Sequence, residues 1–223
     1  MTLATSLNAP LAAERTHLFL LPLSEAGPDT SLPPTALEHA EAESVSAPLR
    51  RGFLARRRLL RRALALRVGA NPSDILITRD ANGAPRVASA REPIFVSLAA
   101  RRELVAIGIS DRPVGVDVEV VETNPPEPAW NILHSKEREW LSKQSSKRRA
   151  ENFLALWCAK EAYLKALGLG LRREPAEMAV SLEDWRRIQI EDRAQLVPLD
   201  EAFVRRFEAH GVPAVLACVV LAR

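Results

Sequence analysis

The sequence has few residues of the kinds that cross-link, export or anchor a protein. Its 223 residues include 2 cysteines, so Cys158 and Cys218 form no disulfide framework and are predicted to be reduced thiols in the core. The first residues lack the charged start and the long apolar run of a signal peptide. The apolar run Leu18–Leu23 is far too short to span a bilayer. These absences predict a cytoplasmic protein without membrane contact.

Constellations for nucleophilic catalysis are lacking as well. The 4 histidines fit no Ser/His/Asp or Cys/His arrangement, and they form no metal-ligand spacing with the cysteines. The sequence therefore offers no candidate protein nucleophile of that kind.

Composition is otherwise that of a globular protein. Hydrophobic residues make up 47% of the chain and charged residues 26%, which is enough to bury the core of one large domain or two small ones. Net charge is only +3, yet the isoelectric point is near 9.2 and the basic residues are clustered arginines. This clustering indicates an anionic partner.

Periodicity predicts a mixture of helices and strands. Predicted helices cover Thr35–Glu43, Leu49–Val68, Ala129–Leu141 and Ser146–Leu167. Predicted strands cover His17–Leu23, Asp74–Arg79, Pro93–Leu98, Glu103–Ile109, Val114–Val120, Ala179–Leu182, Arg187–Glu191, Phe203–His210 and Pro213–Leu221.

The last predicted helix carries an acid and a base on one face. Glu161 and Lys165 are i and i+4, beside an apolar stripe that includes Leu164. Such a pair is by itself typical of a solvated surface ion pair that contributes roughly 0.2–0.5 kcal/mol. A second acidic cluster upstream favours a functional role.

That second cluster lies on the predicted strand Val114–Val120. Asp117 and Glu119 alternate with valines, so both carboxylates share one face while the valines cover a core. An amphipathic edge strand with solvated acids would show the same pattern. Paired carboxylates on a stiff element are also the oxygen ligands that a hard divalent cation requires, and Glu161 can supply a third.

Two motifs together resemble a known signature. Gly115-Val-Asp117-Val-Glu119, followed by Trp157-Cys-Ala-Lys160-Glu161-Ala-Tyr-Leu-Lys165, resembles in order and separation the signature of 4'-phosphopantetheinyl transferases. Those enzymes move the phosphopantetheine arm of coenzyme A onto a serine of a carrier protein. The 114 residues before Gly115 resemble the longer, monomeric members that activate peptide synthetases.

The resemblance implies an α+β fold of two similar lobes. Each lobe would be a small antiparallel sheet packed with a long helix, which makes the fold pseudo-dimeric. The expected N-terminal lobe covers residues 1–112 and the C-terminal lobe residues 113–223. A faint internal repeat agrees with this division, since Ala214–Leu221 resembles Leu104–Ile109.

The resemblance also implies a metal and phosphate site. Asp117, Glu119 and Glu161 are expected to hold Mg²⁺ against the pyrophosphate of coenzyme A. Lys165 and Lys160 would neutralise charge on the phosphate and on the departing 3',5'-ADP. Glu161 is the candidate for accepting the serine proton.

The arginine-rich helix has three interpretations. Its arginines are Arg50, Arg51, Arg56, Arg57, Arg58, Arg61, Arg62 and Arg67. They could form a solvated face, bind nucleic acid or a membrane surface, or hold the 3'-phosphate of coenzyme A. The family's Ala-x-Arg-x-Leu-Leu pattern matches Arg57, and Arg50 or Arg51 could replace a basic residue that the family has earlier in the chain.

Two further segments match the family in part. The turn Asp80–Pro85 contains Gly83, but Ala84 stands where the family has lysine, so Arg79 or the arginine-rich helix would supply the charge. Ser97 matches a nucleotide-contacting serine, whereas Leu98 replaces the histidine beside it.

The predicted function is therefore Mg²⁺-dependent transfer of phosphopantetheine from coenzyme A to an apo acyl carrier or peptidyl carrier protein. Ala84 and Leu98 leave open an inert relative that only binds coenzyme A. A basic nucleic-acid-binding module would explain the arginines but would give Asp117, Glu119 and Glu161 no role. No nucleic-acid partner is predicted.

Overall fold

The computed structural model describes residues 16–88, 93–122, 127–182, 187–193, 198–209 and 211–222. The strands are β1 Thr16–Pro22, β2 Ile77–Arg79, β3 Pro85–Val87, β4 Phe95–Arg101, β5 Leu104–Ser110, β6 Val114–Val120, β7 Ala179–Leu182, β8 Ile188–Glu191, β9 Leu199–Ala209 and β10 Val212–Leu221. The α-helices are α1 Ala36–Glu43, α2 Ala47–Val68, α3 Ser135–Ser142 and α4 Ser146–Ala166. Short 3₁₀ turns, such as Trp130–Ile132, connect several of them.

All strand pairs are antiparallel. A five-stranded sheet has the order β1-β5-β4-β3-β2, a three-stranded sheet has the order β6-β10-β9, and β7 pairs with β8. The predicted strands Pro93–Leu98 and Glu103–Ile109 correspond to β4 and β5, which pair as a hairpin with Ala99 opposite Ala106.

Alternating side chains place the two larger sheets face to face. Val105 and Ile107 of β5 point to one side, where they pack with Leu60 of α2. The intervening Ala106 points the other way and packs with Val116 of β6. Helix α4 covers the outer side of the three-stranded sheet with a core cluster that includes Leu156, Ala159, Val215 and Ala217. Each large sheet therefore has its own long helix, and the predicted α+β fold of two sheet-and-helix halves is confirmed.

Most predicted elements are present with shifted ends. Helix α2 begins two residues earlier than predicted and ends at Gly69, which has φ +66° as expected of a helix-terminating glycine. The helix predicted over Ala129–Leu141 is wrong in its first half, because His134 has an extended backbone and caps α3 instead. Strand β3 was not predicted, since its three residues are too few to show a period.

Some predictions fall where the structure gives no description. The first 15 residues, on which the expected absence of a signal peptide rests, and His210 lie outside the described residues. Within those residues, Cys158 and Cys218 are free and buried, as predicted. No helix in the described ranges has the length and apolar character needed to cross a membrane.

The interpretation of the arginines as a solvated face is wrong for the middle of α2. Arg57, Arg58 and Arg61 are buried, with residue exposures of 6%, 3% and 2%. Arg58 donates to the carbonyl oxygens of Ala26 and Gly27 at 3.2 and 3.3 Å. These arginines face protein acceptors because the segment before α1 folds back over the helix.

Arg61 makes the most buried of these connections. It donates to the carbonyl oxygens of Pro33 and Pro72 at 2.8 and 3.1 Å. Its Nη1 also forms an ion pair with Glu38 Oε2 at 3.3 Å, and both side chains are at most 3% exposed. A buried charge needs such partners, so Arg61 holds α1 and the flanking loops on α2.

Candidate active site

Strand β6 and helix α4 contact each other through their main chains at Gly115. A Cβ atom at this position would lie 1.8 Å from the carbonyl oxygen of Ala162 and 2.6 Å from the amide nitrogen of Ala166. Only glycine allows such an approach. Because strand side chains alternate, Asp117 and Glu119 lie on the same side of β6 as Gly115. The acidic side of the strand therefore faces the helix.

Helix α4 brings Lys165 and Glu161 to this acidic side. Lys165 Nζ donates to Asp117 Oδ1 at 2.7 Å and to the carbonyl oxygen of Val116 at 3.2 Å. Its distance to Glu161 Oε2 is 4.0 Å. The side chains of Asp117, Glu161 and Lys165 are 11%, 13% and 27% exposed, so the cluster is mostly screened from water.

One oxygen of each carboxylate in this cluster lacks a partner. Among the described residues, no hydrogen-bond donor reaches the buried atoms Asp117 Oδ2 and Glu161 Oε1. A buried polar atom left in this state costs about 1–3 kcal/mol. A hard divalent cation would satisfy such oxygens. Asp117 and Glu161 thus fit a metal ion.

The third predicted ligand, Glu119, is engaged elsewhere. Its Oε2 forms an ion pair with Arg101 Nε at 2.9 Å, and the arginine side chain is 51% exposed. The described part of the chain holds no group of three Asp, Glu, His or Cys side chains arranged as a metal site. The structure therefore brings Asp117 and Glu161 together. Glu119 lies on the same side of β6 as Asp117 but pairs with Arg101.

Burial changes the acidity of these groups. Burial raises the pKa of Glu161, with Lys165 opposing the rise and Asp117 adding to it. Burial also raises the pKa of Glu119, against the opposing effect of Arg101. A carboxylate with a raised pKa holds a proton more readily than an ordinary glutamate, which suits a group that accepts a proton during a reaction.

The nearby thiol is unsuited to chemistry. Cys158 is fully buried, and burial raises its pKa well above the usual range, with Asp117 and Glu119 adding to the effect. Its Sγ donates to the carbonyl oxygen of Val215 at 3.8 Å. Because the thiolate is the nucleophilic form, this cysteine is a packing residue.

The expected ligand role of Lys160 needs correction. Its side chain is 0% exposed and pairs with Glu137 Oε2 at 2.8 Å. Its Nζ also donates to the carbonyl oxygens of Ile132, Pro175 and Met178 at 3.3, 2.7 and 2.8 Å. The lysine points away from the acidic side of β6 because it lies five residues before Lys165, which places it about 140° away around the axis of α4. It joins α4 to the segments around it.

A cleft of about 340 Å³ opens between the two halves. Its walls are formed by α2, the β2–β3 turn, β4 and the end of α4. The lining residues are Phe53, Arg56, Arg57, Leu60, Arg79, Asn82, Gly83, Ala84, Pro85, Val96, Ser97, Leu98, Lys165, Gly168 and Gly170. Lys165 belongs both to this cleft and to the carboxylate cluster, so the two form one continuous site.

The predicted nucleotide-binding residues separate into two groups. One group, Arg57, Arg79, Gly83 and Ser97, lines the cleft, and its role in binding a nucleotide stays a prediction. Ser97 also accepts a hydrogen bond from the amide of Val116 at 3.0 Å and so joins β4 to β6.

Arg50 lies elsewhere, which corrects the expectation that it could replace a missing basic residue. It pairs with Glu43 at 3.1 Å and donates to the carbonyl oxygen of Val45 at 3.0 Å. These partners hold it at the junction of α1 and α2, so its guanidinium is directed to the chain before α2.

Glu41 is a site residue that sequence reasoning missed. Its Oε2 accepts from Arg57 Nη2 at 2.7 Å, and its Oε1 accepts from Arg79 Nε at 3.0 Å. Both guanidinium groups also lie near the ring of Phe53, at 5.2 and 5.8 Å from its centroid. Nothing local in the sequence marks Glu41, which is one of several acids in a short polar helix.

A hydrogen bond across the cleft connects the two halves. Asn82 Nδ2, in the β2–β3 turn, donates to the carbonyl oxygen of Gly168 at 2.9 Å. In the same turn, Gly83 supplies its carbonyl oxygen to Arg79 Nη1 at 2.9 Å. The turn therefore positions Arg79 and contacts the end of α4.

Comparison with known families identifies this arrangement. The family model described as 4'-phosphopantetheinyl transferase superfamily matches residues 113–217, the segment that carries Asp117, Glu119, Glu161 and Lys165. Over this segment, just under half of its length, the chain is similar to the 4'-phosphopantetheinyl transferase superfamily. The resemblance seen in the two sequence motifs is thereby confirmed.

Two curated members of the superfamily show how far the similarity extends. The 4'-phosphopantetheinyl transferase gsp of Aneurinibacillus migulanus is 35% identical over 69 residues, which are 31% of this chain and 29% of gsp. The 4'-phosphopantetheinyl transferase HetI of Nostoc sp. is 27% identical over 194 residues, 82% of this chain and 81% of HetI. The chain thus spans less than a third of one relative and about four fifths of the other.

Two solved structures match about half of the chain. The holo-[acyl-carrier-protein] synthase of Thermotoga maritima has a TM-score of 0.38 and 26% identity, covering 50% of this chain and 64% of that one. An apo-ACPS structure from Chronobacterium ammoiniagenes has a TM-score of 0.36 and 19% identity, covering 49% and 96%.

Proposed function

We propose that this chain transfers the 4'-phosphopantetheine group of coenzyme A to a serine of an apo acyl carrier or peptidyl carrier protein and releases 3',5'-ADP. One observation carries the proposal. Lys165 lines a cleft that also holds Arg57 and Arg79, and its Nζ lies 2.7 Å from the carboxylate of Asp117 and 4.0 Å from that of Glu161. The distribution of charge suits a ligand with a pyrophosphate and a separate phosphate.

The nucleotide end of coenzyme A is proposed to lie against α2 and the β2–β3 turn. The guanidinium groups of Arg57 and Arg79 are proposed to bind the 3'-phosphate, since planar guanidinium groups recognise phosphate oxygens in pairs. Gly83 lets the backbone approach the ligand closely, having φ +83° and open space around it.

Mg²⁺ is the proposed metal, and its residues are Asp117 and Glu161, joined by Glu119 once it leaves Arg101. Bound there, the ion would act as a Lewis acid on the pyrophosphate and lower its repulsion of an incoming electron pair. The two unpartnered carboxylate oxygens support this assignment.

The protein's own groups complete the chemistry. Glu161 is proposed to accept the proton of the carrier serine, which agrees with its raised pKa. The ammonium group of Lys165 is proposed to stabilise negative charge on the transferred phosphate and on the departing 3',5'-ADP. The serine attacks phosphorus directly, so no protein nucleophile is required.

The proposal includes the organisation of the chain. Residues 1–112 and 113–223 would form the two lobes, with the nucleotide on the first and the metal on the second. The protein would act as a cytoplasmic monomer. The deep burial of Arg58 and Arg61, which lie outside the cleft lining, disfavours nucleic-acid binding, because such guanidinium groups cannot follow a phosphate backbone.

A relative that binds coenzyme A without transferring it is the second candidate. Ala84 and Leu98 both line the cleft where the family has lysine and histidine. In that case the nucleotide would bind and no carrier protein would be loaded.

Incubation with coenzyme A, Mg²⁺ and an apo carrier protein tests the proposal through the mass gained by the carrier. Asp117→Asn and Glu161→Gln are expected to reduce the loading rate by about 10²–10⁴-fold, the range for groups that stabilise charge or transfer protons.

Glu139→Gln is the matched control, because Glu139 and Lys143 form an i,i+4 pair that is 72% and 68% exposed. It should load the carrier at the wild-type rate. Near wild-type loading by Asp117→Asn or Glu161→Gln would contradict the assignment of the site.

A further inference from the structure

Glu41 introduces a negative charge into a cleft proposed to bind an anion. Its carboxylate joins the guanidinium groups of Arg57 and Arg79 through hydrogen bonds of 2.7 and 3.0 Å. The Glu41 side chain is 15% exposed, so solvent screens it only in part. This carboxylate therefore has the same two partners that a bound phosphate would use.

The two arginines differ in their environment. The Arg57 side chain is 7% exposed, whereas that of Arg79 is 43% exposed. Burial lowers the pKa of Arg57, with Glu41 opposing this effect and Arg79 adding to it. Glu41 thus compensates the buried charge of Arg57 and also pairs with the more exposed Arg79.

A phosphate group that enters the cleft must share these arginines with Glu41 or displace it. Sharing places two anions close together, and displacement breaks two charged hydrogen bonds. Either event reduces the free energy gained from the 3'-phosphate. This competition concerns the 3'-phosphate alone. The binding free energy of the rest of the nucleotide, including the 5'-phosphate proposed to lie near Lys165, should not change.

We propose that Glu41 is a specificity-determining residue, which competes with the 3'-phosphate for Arg57 and Arg79 and narrows the preference for coenzyme A over 3'-dephospho-coenzyme A. This inference rests on the proposed function, because it takes the cleft to be the nucleotide site. A carboxylate that merely held the two arginines in place would have the opposite effect on phosphate affinity when removed.

Isothermal titration calorimetry with 3',5'-ADP and 5'-AMP separates these roles. The quantity of interest is the ratio of the Kd of 5'-AMP to the Kd of 3',5'-ADP, which reports the contribution of the 3'-phosphate alone. Because both ligands are titrated into the same sample, a partly inactive preparation leaves the ratio unchanged. Glu41→Gln is expected to raise the ratio about tenfold, since it removes a charge in direct contact with both arginines.

Glu43→Gln provides a matched control. Glu43 is also in α1 and also pairs with an arginine of α2, Arg50, but its side chain is 72% exposed and it lies outside the cleft lining. This variant should leave the ratio within about twofold of wild type. Glu41→Asp, which keeps the charge but shortens the side chain, should give a ratio between those of wild type and Glu41→Gln.

The outcomes are distinct. An unchanged or reduced ratio in Glu41→Gln, in protein that melts near the wild-type temperature, would overturn the proposal and would make Glu41 a residue that positions the arginines. If Glu41→Gln fails to fold, an unchanged ratio in Glu41→Asp would overturn it. Wild-type protein that binds neither nucleotide would overturn the proposed function as well, whereas wild-type binding and carrier loading with an unchanged ratio would overturn the role of Glu41 alone.

Discussion

Helices α2 and α4 cover equivalent faces of their sheets, and in both of them basic residues divide between the fold and the site. In α4, Lys165 faces the cleft, whereas Lys160 is buried among backbone carbonyl oxygens. In α2, Arg57 faces the cleft, whereas Arg61 is buried against Glu38 and two carbonyl oxygens. Residue type therefore does not distinguish a basic residue that lines the cleft from one that holds the fold together. The distinction lies in the groups that each basic residue contacts.

The difference between the helices lies in how their buried charges are compensated. Lys160 has a carboxylate and three carbonyl oxygens as acceptors, all brought by segments that flank α4 in space. The arginines of α2 are distributed over several acceptors on α1 and the loops around it. A single lysine thus organises the surroundings of α4, while α2 shares this task among Arg58, Arg61 and Arg62.

Replacing the two lysines of α4 should show the largest contrast. Lys160→Met is expected to lower the free energy of unfolding by about 3–5 kcal/mol, because it leaves Glu137 as a buried charge without its cation. Lys165→Met should lower it by only about 1 kcal/mol, since its side chain is partly exposed, but should abolish carrier loading. Urea denaturation and the loading rate per folded molecule measure the two effects.

A Lys160→Met protein that kept its stability but lost loading would break the comparison. It would place Lys160 on the ligand, as the sequence motif alone suggested. Retained loading by Lys165→Met would equally remove that lysine from the proposed chemistry.

The difference in stability loss between the buried and the cleft-lining arginine of α2 should be smaller than that between the two lysines of α4. Arg61→Met is expected to cost about 2–3 kcal/mol, because two of the hydrogen bonds it removes are only partly buried. Arg57→Gln should cost about 1 kcal/mol, since Glu41 keeps Arg79 as a partner, and it should weaken the binding of 3',5'-ADP. Chemical denaturation and calorimetry in parallel would test this pair, and equal losses of stability would show that α2 makes no such division.

The smallest expected change in stability concerns Glu161, where a substitution should raise the free energy of unfolding instead of lowering it. Burial raises the pKa of Glu161 above the usual value of 4.5, so the folded chain binds this proton more tightly than the unfolded chain does. The contribution of Glu161 to stability is therefore present at low pH and is lost as the pH rises through the raised pKa.

Glu161→Gln should consequently stabilise the protein at pH 7. Removing the cost of one unpartnered buried carboxylate corresponds to about 1 kcal/mol, or ~2–4 °C in melting temperature for a chain of this size. The difference from wild type should shrink as the pH falls toward 4. Thermal melts at several pH values measure it, and a lower melting temperature at pH 7 would show that the carboxylate is better satisfied than its contacts indicate.

Much of the fold follows from periodicity in the sequence. The alternation of acids and valines in β6 predicted which side of the strand carries Asp117 and Glu119, and the structure places the valines in the core between the sheets. The helical spacing around Leu164 likewise predicted α4 and the position of Lys165 beside Glu161, whereas the contact of Lys165 with Asp117 is seen only in the structure. These patterns succeed because they depend on residues within one element.

The partners of charged residues were not predictable in the same way. Arg58 and Arg61 bind carbonyl oxygens of segments 11–32 positions away, and every residue has a carbonyl oxygen, so no sequence pattern marks the acceptor. Lys160 was expected on the ligand because its carbonyl acceptors could not be seen in the sequence. Glu41 was missed because its two arginine partners lie on other elements. The roles proposed for Asp117, Glu119 and the other site residues remain predictions that the experiments above address.

The main-chain contact at Gly115 has a consequence for how this site can diversify. Because two backbones touch there, the main chain rather than the surrounding side chains sets the spacing between the carboxylates of β6 and Glu161 of α4. Residues that line the cleft away from this contact, such as Ala84 and Leu98, can vary without altering that spacing. The architecture thereby separates the variable walls of the cleft from the acidic cluster that the backbone contact holds in place, so that the sequence of the walls can change while the geometry of the cluster is preserved.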